Sequence, residues 1–193
     1  MQQESLGPLH GWSDCYVILG TGAATFVSAM FIVVTLGGRF VAARAERSNA
    51  SVYFQAATMA HLAFVLFGSA LTLVPWSGPG PTGIAFVAFG LVGLGYAIWV
   101  EAHVHQRELI LLDHLCYGVA PPICYVAMIA AGALMTERRE PYGTGVLAAA
   151  FAGLLAVSIR NAWDLLVYFA FHPDVLALDG GEAAGGQASG QAE

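Results

Sequence analysis

The sequence predicts an all-α integral membrane bundle of five transmembrane helices, and three observations predict it. Of the 193 residues, 58% are hydrophobic and only 10% charged, where soluble domains carry roughly 25% charged residues. The apolar residues gather into five runs long enough for the ~20 residues that a bilayer crossing needs. Between the runs stand glycine, proline and arginine, which end helices or stay at the membrane surface.

The first span, 15–36, follows Asp14 and ends at "GGRFVAARAER", where two glycines and three arginines stop it. The second, 52–74, ends at Pro75 and Trp76. The third, 83–101, is rich in glycine, with Gly90, Gly93 and Gly95 thinning it for close helix packing. On the first span Gly20, Ala24 and Ser28 recur at four-residue spacing and predict a similar face. The fourth, 109–135, carries Pro121 and Pro122, which should kink it and leave carbonyls near residues 117–118 without their helical donors. Cys116, Tyr117, Cys124 and Tyr125 surround that break. The fifth span covers 145–171.

Three regions follow: an N-terminal extramembrane segment (1–14), the five-helix domain (15–172) and an acidic C-terminal tail (173–193). The ending "LDGGEAAGGQASGQAE" has no aromatic residue and too little apolar surface to offset ordering entropy, which predicts disorder. The N-terminus lacks the basic region and cleavage site of a secretory signal, so the first span is expected to be retained. Arg39, Arg44, Arg47 and Arg107 fall on one side of the predicted membrane and Arg138 and Arg139 on the other. Arginine retention then predicts an outside N-terminus and a cytoplasmic C-terminus. All seven basic residues are arginine and the net charge is −6, which argues against nucleic acid as a partner. The bilayer is the expected partner, with a homo-oligomer or a larger membrane complex as the setting. Three cysteines, two of them within one span, do not make a disulfide framework.

The candidate functional residues are the polar groups inside the spans. The apolar run 146–159 covers roughly 21 Å of helix against a hydrocarbon core of about 30 Å. The fifth crossing must therefore continue through Arg160, Asn161 and Asp164. Isolated charges at that depth cost about 2.5–3.5 kcal/mol each on insertion scales, and the four-residue spacing of Arg160 and Asp164 lets them pair. Tyr168 and His172 continue that stripe, which is expected to face the bundle. His61 is the deepest histidine. Its simplest role is a neutral imidazole bonded to a carbonyl or to the Arg160 and Asp164 group. Together these residues define an intramembrane polar centre of Arg160, Asn161, Asp164 and His61.

A second set, Glu101, His105, Asp113 and His114, gathers with Tyr168 and His172 toward the cytoplasmic side as candidate ligand or relay groups. Imidazole and carboxylate suit a transition metal, and His61 with His114 is the one pair of histidines that suggests bis-histidine haem ligation. No HExxH, CxxC or di-iron ExxH spacing accompanies them, and a haem or metal is not the favoured reading. "GPGPTG" (Gly78 to Gly83) formally fits a dinucleotide fingerprint, but no strand precedes it, and it reads as a turn.

The run "IRNAWDLLVY" resembles the C-terminal span of small bacterial membrane proteins, which implies a bacterial inner-membrane location. The functional expectation is a non-enzymatic membrane scaffold or accessory subunit stabilised by the buried Arg/Asn/Asp centre. A small transporter or proton relay, and a haem or metal redox protein, are the alternatives. The sequence leaves open whether the chain is an enzyme.

Overall fold

A computed structural model describes residues 9–44, 49–104 and 114–171. The described residues form five long helices and no strand. They are α1 (Ser13–Arg44), α2 (Asn49–Thr72), α3 (Pro79–Val104), α4 (Ala120–Thr136) and α5 (Glu140–Phe171), with a 3-10 turn at His10–Trp12 and a π-helical turn at His114–Val119. Among the described residues three stretches are long and apolar enough to cross a membrane: Ser13–Ile32, Pro79–His103 and Glu140–Asp164. The apolar parts of α2 and α4, Ala56–Thr72 and Ala120–Thr136, are shorter. The 17 residues of α4 give about 26 Å of helix. The predicted tail 173–193, His172, His105, Asp113 and the first part of the predicted fourth span lie outside the described residues.

The prolines fit the starts of α3 and α5, while those of α4 follow directly on a π-helical turn. Pro79 and Pro81 open α3, Pro121 and Pro122 sit in the first turn of α4, and Pro141 follows Glu140 at the start of α5. The first four N–H groups of a helix have no internal acceptor, so a residue lacking that N–H fits there without loss. "GPGPTG" is therefore largely the first turn of α3 rather than a free turn. Immediately before the Pro121-Pro122 pair the backbone is π-helical over His114–Val119, and it becomes α-helical from Ala120, so the pair stands at a change of helix type.

α4 ends in a tight reversal. The Arg139 N–H donates to the Leu134 carbonyl (2.9 Å) and the Arg138 N–H to that of Met135 (3.0 Å), the paired bonds of a Schellman cap. Arg138 holds the left-handed position of that cap at φ 62°, where glycine is the usual residue. This cap folds α5 back along α4.

Packing is most extensive between α3 and α4, then between α4 and α5 and between α1 and α2, while α5 also lies against α1 and α2. α5 presents Leu147, Phe151, Leu154, Ser158 and Asn161 at alternating three- and four-residue spacing, all fully buried. At its start Tyr16 on α1 donates its hydroxyl to the Thr144 carbonyl at 2.8 Å.

Glycine sets the closest approaches. Along α3, Gly83 meets Gly132, Gly90 meets Ile129 and Gly93 meets the Tyr125 ring of α4. Gly95 has nothing within 4 Å of where a Cβ would stand, since two residues along a helix point to different faces. The α4 side of α3 therefore uses Gly83 rather than Gly95. On α1 the buried line is Tyr16, Gly20, Ala23 and Met30, with Gly20 against Ser69 of α2. Ser28 instead points outward and bonds back to the Ala24 carbonyl at 3.0 Å.

Candidate functional site

The interior of α2, α4 and α5 holds a seam of buried polar side chains. Thr58 and His61 come from α2, Tyr125 from α4, and Ser158 and Asn161 from α5, and none is more than 3% exposed. Their levels follow from one packing contact. A Cβ on Gly68 of α2 would fall within 2.9 Å of Phe151 Cε1 on α5, so these two positions are level. α2 and α5 run antiparallel. Ten residues from that contact toward the same end of the bundle reach Thr58 on one helix and Asn161 on the other; seven reach His61 and Ser158.

His61 is the centre of the seam. Its Nδ1 forms a 2.8 Å hydrogen bond with the Tyr125 hydroxyl, 64 positions away in sequence. Tyr125 reaches α2 by lying flat against α3 at Gly93, where a Cβ would stand 2.9 Å from ring Cζ. Phe64 closes the other side, with its ring edge-on to Tyr125 at 5.2 Å. One phenol thus joins three helices, anchored on α4, seated on α3 and bonded to α2. A buried imidazole left without a partner would carry a desolvation cost, and the phenol supplies the partner. Tyr96 of α3 lies edge-on to the imidazole, with ring centroids 6.1 Å apart.

Arg160 and Asp164 pair within α5 at 2.8 Å, one turn apart, with side chains 31% and 41% exposed. They occupy the edge of the buried face, while Asn161 takes its centre. The expected stripe through Arg160 and Asp164 is therefore rotated outward from the bundle axis. Asn161 holds the inward position because Leu154, Ser158 and Asn161 follow the seven-residue rhythm of the packed face. Ser158 is satisfied by its own helix, its hydroxyl donating to the Leu154 carbonyl at 2.8 Å.

The second predicted set is only partly described. Glu101, near the end of α3, lies against the π-helical turn; a Cβ on Gly118 would stand 2.7 Å from Glu101 Oε2. His103 folds back on its own helix, its Nδ1–H donating to the Trp99 carbonyl at 2.7 Å. His114 and Tyr168 have described backbone, in the π turn and in α5, but their side chains lie outside the described part, as do His105, Asp113 and His172 altogether. The His61 and His114 pairing proposed for haem thus falls partly outside it too. Among the described residues no three His, Cys, Asp or Glu side chains converge into a metal-binding group.

Sequence reasoning finds His61 and the α5 polar residues but not the partner of His61. Tyr125 stands among apolar residues and carries no local sign of its bond. The one available cue is Gly93 on the preceding helix, a gap in α3 that a ring can fill. The chain matches no protein-family model, and no curated protein or solved structure matches it.

Proposed function

We propose that the chain is a five-span membrane scaffold or accessory subunit whose interior polar groups act as helix ties. In this reading α2 and α4 also cross the bilayer, α4 with the help of the π-helical turn before it. The N-terminus lies outside, the C-terminal tail lies in the cytoplasm, and the setting is a bacterial inner membrane. The carrying observation is a polar bond between helices inside the bundle, with His61 of α2 bonded to Tyr125 of α4; the Arg160–Asp164 pair lies within α5 and neutralises two charges there. Interhelical hydrogen bonds and close small-residue contacts hold helices together in lipid, where apolar burial supplies no drive between them. Gly83 against Gly132, Gly90 against Ile129 and Gly20 against Ser69 are contacts of that kind.

The test uses the charge pair. Arg160→Ala and Asp164→Ala each break the pair from one side, whereas the double variant removes both charges. If the pair lets α5 carry two charges into the bundle, each single variant lowers steady-state membrane abundance and the double variant recovers part of the loss. Native electrophoresis of gently solubilised membranes should show the assembled form falling in parallel. Full abundance and unchanged assembly in both single variants would contradict the scaffold.

A further inference from the structure

A helix tie accounts for Tyr125 and His61 but not for the rings that continue beyond them. From His61 the next ring is Tyr96, edge-on at a centroid distance of 6.1 Å. Tyr96 stacks on Trp99 at 6.1 Å and 27°, and Trp99 lies 4.5 Å from His103. The file runs from Tyr125, fully buried, to Trp99, 49% exposed on α3. Tyr96, Trp99 and His103 reach it together because spacings of three and four residues share a helix face.

Two properties of the file bear on one-electron chemistry. Its non-imidazole members are tyrosine and tryptophan, the aromatic side chains that lose an electron most readily. The phenol at its buried end has an imidazole nitrogen 2.8 Å from its oxygen. A phenol gives up its proton when it loses an electron, and in the tautomer of His61 that carries its hydrogen on Nε2 the Nδ1 atom accepts from the phenol and takes that proton without heavy atoms moving.

We infer that Tyr125 with His61 is a one-electron redox site, that Tyr96 and Trp99 connect it to the exposed face of α3, and that the oxidant is a lipid peroxyl radical. The choice of oxidant rests on the membrane-spanning reading above, in which exposed Trp99 meets lipid. The peroxyl radical takes one electron from Trp99 and one proton from water, giving a lipid hydroperoxide and hydroxide. Trp99 is refilled from Tyr125 by electron transfer across the Tyr96 ring, which keeps its own proton and is not itself oxidised, and the Tyr125 phenolic proton passes to His61 Nδ1. The products are the neutral Tyr125 phenoxyl radical and protonated His61, with one electron lost by Tyr125 and one gained by the peroxyl group. A quinol at the exposed end returns one electron through Trp99 and Tyr96 to the Tyr125 phenoxyl, which takes its proton back from His61, while the proton that the quinol releases neutralises the hydroxide and leaves a semiquinone.

The experiment exposes the full chain in lipid nanodiscs to peroxyl radicals from an azo initiator and records freeze-quenched high-field electron paramagnetic resonance. A parallel sample in detergent is oxidised by a photogenerated ruthenium(III) complex. The wild-type chain should give a tyrosyl radical with the lowered g value of a strongly hydrogen-bonded phenoxyl. Tyr125→Phe should remove most of that signal in both samples, and Trp99→Phe should reduce its yield. A g value characteristic of a phenoxyl without a hydrogen bond would overturn the assignment, even if Tyr125→Phe does not fold. A yield unchanged by Trp99→Phe would overturn the route. A signal with ruthenium but none with peroxyl radicals would refute the lipid oxidant, and with it the proposed activity. The scaffold is judged separately, by the abundance of the charge-pair variants.

Discussion

Gly93 and Gly95 are two residues apart on α3, and alanine at each should act in opposite directions. A Cβ at Gly93 would stand 2.9 Å from Cζ of Tyr125, whereas unstrained carbon contacts lie at about 3.5–4.0 Å. The ring has little room to retreat, because its hydroxyl is bonded to His61 at 2.8 Å and Phe64 packs on it at 5.2 Å. α3 and α4 must therefore separate by an appreciable fraction of an ångström, which disturbs the nearby contacts at Gly83 and Gly90. Inserting a methyl group into a filled core costs typically about 1–3 kcal/mol. Loss of the Tyr125 bond would add about 0.6 kcal/mol, the average for interhelical hydrogen bonds in membranes. The expected destabilisation of Gly93→Ala is thus about 1.6–3.6 kcal/mol. Gly95→Ala meets nothing within 4 Å and gains helix propensity worth up to about 1 kcal/mol in soluble hosts. Unfolding in mild detergent, followed by circular dichroism against a denaturant series, compares the two. Equal stability of the variants, or Gly93→Ala as the more stable, would refute the packing argument.

Other substitutions test separate parts of the fold by the same unfolding assay. Arg138 holds φ 62°, a conformation that costs a side chain bearing Cβ roughly 1–2 kcal/mol, so Arg138→Gly should raise stability by about 1 kcal/mol. Ser69 Oγ is buried and finds no hydrogen-bond partner among the described residues. Ser69→Ala should accordingly be neutral or stabilising, by up to about 1 kcal/mol, because it removes an unsatisfied hydroxyl and keeps the Cβ that meets Gly20. Tyr16→Phe deletes the hydroxyl that reaches the Thr144 carbonyl and should cost about 0.5–1.5 kcal/mol.

The helices themselves were legible because run length is a strong signal in so apolar a chain. All five predicted runs overlap a helix of the structure. Their ends were less legible. Pro121 and Pro122 lie inside a continuous apolar run and suggest a kinked helix; in the structure the helical backbone runs past them and changes from π- to α-helical at Ala120, a change that the residue types do not announce. Apolar run length likewise starts the third span at Gly83, after prolines that in fact open α3. Which polar group faces inward on α5 depends on helix rotation. Charge spacing favours the Arg160 and Asp164 stripe, but the packed rhythm of Phe151, Leu154 and Ser158 turns Asn161 inward. The Tyr125 partner of His61 was out of reach, since a contact between residues 64 positions apart leaves no periodic trace.

The claim that buried polar residues serve as ties between helices is tested most directly by a double-mutant cycle on His61 and Tyr125. Stability is measured for the wild type, His61→Leu, Tyr125→Phe and the combination. Removing one partner leaves the other buried and unpaired, while removing both leaves two apolar groups and a nearly neutral exchange. The predicted coupling energy is about 0.6–1.7 kcal/mol, the average to the maximum measured for hydrogen bonds between membrane helices, with the double variant less destabilised than the sum of the singles. Strictly additive effects, together with a Tyr125→Phe variant as stable as the wild type, would contradict the account.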